Sequence, residues 1–216
     1  MLCPASKRGG TFLKRVQLGT RQFSTDHNTS KPHVFGEAYP LKNKSVVITG
    51  GTRGIGIAIA ERLLAMGAHV GLISRTKESC EAAERILREK QMNSSNGLDL
   101  RVIAAAGDVG DPSSLSEAFA KVNSQLPVLP TQLYCCAAIC PQGLLLRTDA
   151  DVIGEALRVN IGGTMLAAKL FLRQAPKAES SDSYMRIVTF GSIVGTRGQA
   201  GLTLYSATKS AMGTVT

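Results

Sequence analysis

Thr49-Gly50-Gly51-Thr52-Arg53-Gly54-Ile55-Gly56 stands between two stretches of different period. Before it, Ser45–Thr49 is a short β-branched run, the pattern of a strand buried on both faces. After it, Ile55 to Met66 is apolar at helical spacing, and Gly67 follows where a C-terminal cap belongs. A strand that enters a helix through glycines lets backbone come close to a ligand. The helix start then offers unpaired N–H groups and the positive end of its dipole, a setting for phosphate. The glycines fall as G-x-x-x-G-x-G at Gly50, Gly54 and Gly56. No Lys-Ser/Thr pair follows the last of them, so this is not a P-loop. In its strand–turn–helix setting the turn predicts a dinucleotide, with Gly50, Thr52, Arg53, Gly54, Ile55 and Gly56 as contacts.

Outward from the turn the same alternation repeats. His69–Ser74 reads as a second strand and Ser79–Lys90 as a helix with Ala82, Ala83, Ile86 and Leu87 on one face. Leu100–Ala106 reads as a third strand. Asp111-Pro112 opens a helix as N-cap and first residue, with Leu115, Phe119 and Val122 as its buried face. Leu133–Ala137 is the fourth strand, Asp151 to about Gln174 a long helix, Arg186–Phe190 the fifth strand, and a further helix starts near Tyr205. Strands alternating with helices predict an α/β chain with a doubly wound parallel sheet, Rossmann-like and three-layered, in one domain.

The end of the second strand refines the ligand. A reader of a ribose 2′-hydroxyl is an acid placed there. This chain has Ser74 and Arg75 instead, with no Asp or Glu before Glu78. Arg53 in the glycine turn should lie close by. Two guanidiniums suit a 2′-phosphate, which arginine grips with two hydrogen bonds, so the expected cofactor is NADPH.

Tyr205 and Lys209, four apart, share one helix face. An ammonium held near a phenol is expected to lower its pKa and ready it to give a proton to a carbonyl oxygen. Ser192 follows the fifth strand, where open parallel sheets place their sites, and its hydroxyl would hold the same oxygen. In this order T-G-G-T-R-G-I-G, Asn160, G-S-I-V-G and Y-S-A-T-K resemble the short-chain dehydrogenase/reductase family from about Lys42 to Thr216. Gly143–Thr148, Val159–Leu166 and Ile193-Val194-Gly195 with Gly198 are most similar to its beta-ketoacyl-[acyl-carrier-protein] reductases and their carbonyl-reductase relatives.

The resemblance implies catalysis by Ser192, Tyr205 and Lys209, with Asn160 holding a water that links Lys209 to solvent. It also implies that Lys209 bonds the nicotinamide ribose, that Asp108 and Val109 sit against the adenine, and that Ala137 belongs to the cofactor floor. The implied substrate is a 3-oxoacyl group carried on acyl-carrier protein. A quinone, steroid or other small carbonyl stays open, as does a non-catalytic nucleotide-binding subunit. Two departures stand out. The family usually has Asn-Asn-Ala-Gly after the fourth strand, where this chain has Cys135-Cys136-Ala137-Ala138. This is expected to loosen the cofactor floor, since Cys135 lacks an amide and Ala138 the freedom of glycine. The family also continues through two more strands and a substrate-covering segment, whereas eleven residues follow Tyr205 here. The fifth strand is therefore expected to be an open edge, and oligomers built on the helix at 151–174 and the one after Tyr205 to need a completed chain.

Charge and cysteines bound the rest. The net charge is +9, but residues 1–44 hold eight basic and two acidic residues, against seventeen and fourteen beyond them. The body carries no basic stripe for nucleic acid. No apolar run approaches membrane-spanning length. The first 25 residues have five basic and no acidic side chains, the composition of a mitochondrial transit peptide, with Arg21-Gln22-Phe23-Ser24 resembling a cleavage site. Residues 1–40 thus read as leader and linker, 41–216 as the nucleotide-binding domain, and the mitochondrial matrix as the destination, with the cytoplasm as the alternative. The cysteines at 3, 80, 135, 136 and 140 match no zinc spacing and read as buried small hydrophobes, with no metal expected.

Overall fold

In the computed structural model, residues 40–93, 98–174 and 185–215 are described, and the expected leader lies outside them. The predicted first strand, β1 (Ser45–Thr49), is buried at all five positions. It takes the centre of a five-stranded sheet ordered β3-β2-β1-β4-β5, with every pair parallel. Here β2 is His69–Ser74, β3 Val102–Ala106, β4 Pro130–Cys135 and β5 Arg186–Thr189.

The period of two along β1 divides the core. Val46 and Ile48 face Ala60, Leu63 and Leu64 of helix α1 (Gly54–Ala65) and Ala83 and Leu87 of α2 (Lys77–Met92). Val47 faces Phe119 and Val122 of α3 (Pro112–Gln125) and Phe171 of α5 (Gly163–Arg173). Around β1, β2 and β3 both faces of the sheet are covered, which is why these strands read as near-continuous apolar runs, while β5 has no fully buried residue. The doubly wound, three-layered arrangement is the one the alternation predicts.

Several boundaries differ from the pattern. Helix α2 begins at Lys77 because the Thr76 hydroxyl accepts the Ser79 N–H at 3.2 Å and caps it. Strand β4 starts and stops earlier than Leu133–Ala137. Cys136 gives its N–H to Thr49, the last residue of β1, so β4 has no partner strand beyond that point. The long helix expected from Asp151 is interrupted. Helix α4 (Ala150–Leu157) passes into a π-helical turn at Arg158–Gly162 before α5 begins. Such turns concentrate at functional positions, and this one contains Asn160. The last helix, α6 (Thr203–Ala211), carries Tyr205 and Lys209. Among the described residues β5 pairs only with β4. No helix among them is long and apolar enough to cross a membrane, and no cluster of ligands that would hold a metal occurs.

Phe119 is 1% exposed, and Asp111 caps α3 by accepting the N–H groups of Ser113 and Ser114 at 2.8 and 2.9 Å. Urea unfolding should show Phe119→Ala losing about 3–5 kcal/mol and Asp111→Ala about 1 kcal/mol. Equal losses for the two would contradict this placement of the core.

Candidate active and cofactor site

Gly50 leaves β1 at φ +67°, in the left-handed region, and donates its N–H to Ile73 at 2.7 Å. A Cβ on it would lie 2.6 Å from the Ala137 nitrogen. The exits of β1, β2 and β4 therefore meet at a point where only glycine fits. A Cβ on Gly56 would lie 2.2 Å from the Gly50 oxygen, so the first turn of α1 closes on the glycine turn itself. Gly54 opens α1 at φ +55° with open space beside it. No acidic residue occupies the first turn of α1, and its N-cap Arg53 makes no side-chain cap. The orphan N–H groups and dipole end of α1 stay available to an anion.

A cleft of about 330 Å3 opens here, at the carboxyl ends of the strands. Every cofactor contact expected in the turn lines it, as do Ser74, Arg75, Asp108, Val109 and Ala137. Asn160, Tyr205 and Lys209 lie outside that lining. Cys136 and Ala138, from the stretch read as the altered cofactor floor, line it too, with Val159 beside Asn160; Gly107 and Ile139 also line it, and no pattern in the sequence pointed to those two. A cradle closed by backbone with no room for side chains, beside an uncapped helix start and two guanidiniums, fits a dinucleotide phosphate.

At the ribose end the Thr52 hydroxyl donates to Ser74 Oγ at 2.9 Å, and the Ser79 hydroxyl reaches the same oxygen at 3.5 Å. Arg75 pairs with Glu155 of α4 at 3.8 Å. Sequence proximity shows no acid beside Arg75. The fold delivers one from eighty residues away, a distance in the chain that no local spacing reveals. Asp108 accepts the Gly110 N–H at 2.8 Å and pairs with Arg158 at 3.4 Å.

The residues expected to be catalytic are tied together at the π turn. Asn160 is 2% exposed. Its amide oxygen accepts the Ile139 N–H at 2.8 Å, and its amide nitrogen donates to the Ile139 oxygen at 2.8 Å and to Thr208 Oγ1 at 3.0 Å. Both amide hydrogens are thus committed, and Asn160 ties the loop after β4 to α6. Gly143 donates to the Gly201 oxygen at 2.9 Å and ties the loop after β4 to the turn that precedes α6.

Ser192 N-caps a 3₁₀ turn at Ile193–Gly195, its hydroxyl accepting the Val194 N–H at 3.4 Å. That turn rests on α6. A Cβ on Gly195 would lie 2.8 Å from the Lys209 carbonyl carbon. Lys209 Nζ donates to the Phe190 oxygen at 2.6 Å and stands 5.7 Å from the centre of the Tyr205 ring. Both ends of Lys209 hold the segment that carries Ser192.

The expected lowering of the Tyr205 pKa is not found. Burial pushes the phenol above its ordinary value, and Cys140 adds to the rise. The ammonium lies over the ring face and is turned to the Phe190 carbonyl, so it does not lower the phenol. Burial in turn lowers Lys209, partly offset by Cys136 and Cys140. The cysteines also divide. Cys80 and Cys135 are buried as expected, but Cys136 is half-buried in the cleft wall and Cys140 is exposed. Burial raises the Cys135 thiol to about 12 and the Cys136 thiol to about 11.

With this geometry, the likeness to known proteins is specific. Residues 44–216 match the short chain dehydrogenase family. A 3-oxoacyl-[acyl-carrier-protein] reductase of Aquifex aeolicus is 30% identical over 172 residues, covering 80% of this chain and 64% of the relative. A solved 3-oxoacyl-[acyl-carrier protein] reductase with bound NAD, from Brucella melitensis, has TM-score 0.67 at 25% identity, covering 79% of this chain and 62% of that one. A blue fluorescent protein from a metagenomic library, in complex with NADPH, has TM-score 0.66 at 29% identity, covering 79% and 64%. The chain spans just under two thirds of the length of these relatives. Matched over all but its first 43 residues, the chain belongs to the short-chain dehydrogenase family.

Proposed function

We propose that the protein reduces a 3-oxoacyl thioester carried on acyl-carrier protein to the 3-hydroxyacyl form, with NADPH as reductant. The observation that carries this is α6, which presents Tyr205 and Lys209 against the turn that begins at Ser192. The glycine turn would hold the pyrophosphate, Asp108 and Val109 the adenine, and Arg53 and Arg75 the 2′-phosphate. Bound NADPH supplies a hydride to the ketone carbon. Tyr205 donates the proton to the ketone oxygen as negative charge develops there. Ser192 holds the same oxygen. Lys209 positions the Ser192 segment through Phe190 and holds the nicotinamide ribose. Asn160 fixes the loop after β4 against α6 and so keeps the cofactor floor and Tyr205 in register.

The acyl substrate is favoured by exposed apolar side chains in the loop after β4 and in the turn after Ser192. Leu144, Leu145, Leu146 and Ile193 are 56%, 52%, 96% and 78% exposed. They follow the loop tied to Gly201 or follow Ser192 directly, where an aliphatic chain would lie. Met165 and Leu172, exposed on α5, fit an oligomer built on that helix. The acid-free, basic start of the chain supports import into the mitochondrial matrix.

The catalytic assignment is tested with acetoacetyl thioester and NADPH. Tyr205→Phe removes one hydroxyl and should lower turnover by about 10²-fold or more with NADPH affinity unchanged. Ser192→Ala should lower turnover and spare affinity, whereas Lys209→Ala should damage both. Half the activity remaining in Tyr205→Phe would overturn the assignment. The location is tested separately by fusing residues 1–40 to a reporter. Import into mitochondria is expected, and a cytosolic reporter would refute the leader alone.

A further inference from the structure

Two charged side chains reach the ribose end of the cleft from one stretch of helix. Glu155 lies in α4 and Arg158, three residues on, opens the π turn that continues it. Glu155 Oε1 lies 3.8 Å from Arg75 Nη1, and Arg158 Nη1 lies 3.4 Å from Asp108 Oδ2. Arg75 and Asp108 both line the cleft. A Cβ on Gly110 would meet the Arg158 guanidinium at 2.1 Å, so that side chain is seated closely beside Asp108. The two arginines at this end are not equivalent. Arg75 is engaged by Glu155, while Arg53 makes no ion pair among the described residues.

We infer that Glu155 is a determinant of cofactor choice, competing with the 2′-phosphate of NADPH for the Arg75 guanidinium. This rests on the reading of Arg75 as a phosphate ligand. The chemistry favours exchange over a permanent pair. Arg75 and Glu155 are 58% and 46% exposed, and 3.8 Å is too long for a good hydrogen bond. A phosphate carries more charge than a carboxylate and takes the same fork of donors in two short bonds. Arrival of the phosphate therefore displaces Glu155, and the carboxylate, left near it, opposes it as a like charge. A ribose with a free 2′-hydroxyl meets no such opposition, since a carboxylate accepts that hydroxyl's hydrogen bond. Glu155 thus narrows the preference for NADPH over NADH that Arg53 and Arg75 create.

The test is titration of NADPH and of NADH into the full chain and its variants, read as two dissociation constants. Glu155→Gln keeps the side-chain shape and should tighten NADPH about three- to tenfold, with NADH changed by less than about twofold. Glu155→Lys should tighten NADPH further. In an Arg75→Ala background Glu155→Gln should lose at least half of its effect on NADPH, a coupling that a merely structural role of Glu155 would not give. If Arg75→Ala weakens NADPH but Glu155→Gln leaves it unchanged, or tightens both cofactors equally, the inference is overturned and the phosphate reading survives. If Arg75→Ala leaves NADPH binding unchanged, the phosphate reading fails and the inference with it.

Discussion

The close approach of Gly50 to Ala137 is the constraint on which the cleft depends. A Cβ there would stand 2.6 Å from backbone nitrogen, well inside contact distance, and the residue sits at φ +67°. Any other amino acid would push β1 and β4 apart at their carboxyl ends, where the ligand groove forms. The neighbouring contact of Gly56 with the Gly50 oxygen then fixes the start of α1 over the same point. Two absent side chains thus determine where an anion meets the helix N–H groups. The β-branched run of β1 and the buried faces of α1 and α3 hold the remainder of the frame around them.

From that frame the π turn carries order to the second half of the site. An uninterrupted α-helix through 158–162 would turn successive side chains by a different angle from the one observed. The π turn lets Val159 line the cleft and Asn160 reach both Ile139 and Thr208. One buried amide with three hydrogen bonds is therefore the link between the cofactor floor and the helix of Tyr205. Leaving such a group unpaired costs more than the bonds contribute net, which makes the arrangement stringent about what replaces it. Gly143 bonded to Gly201 holds the loop that leads into this helix, and Lys209 bonded to Phe190 holds the helix itself.

Much of this was legible in the chain because periodicity and glycine spacing are local. The strands at Ser45–Thr49 and His69–Ser74, the Asp111-Pro112 helix start and the place of the glycine turn in the cleft wall all follow from residues within one element and its caps. What stayed hidden arises from contacts across the fold. The acid beside Arg75 comes from α4, the early end of β4 is set by where β1 stops, and the π turn depends on what Asn160 finds to bind. The cysteines show the same limit. Cys135 and Cys140 are alike in sequence, but the sheet buries the first and the loop exposes the second.

The phenol illustrates why a motif on one helix face does not by itself determine chemistry. Lysine four residues after tyrosine is close enough to stabilise a phenolate only if its ammonium is aimed at the oxygen. Here the nitrogen is 5.7 Å from the ring centre and bonded to the Phe190 carbonyl. Burial then dominates both groups, raising the tyrosine and lowering the lysine. Each shift favours the neutral form, as low polarity must. For the proposed reduction this is a favourable starting point. A proton donor has to hold its proton until negative charge develops on the carbonyl oxygen, and a neutral, partly buried phenol does so. Tyr205 is therefore read as a neutral donor whose proton leaves only as charge develops on the carbonyl oxygen, and the same group would take that proton back in the reverse direction.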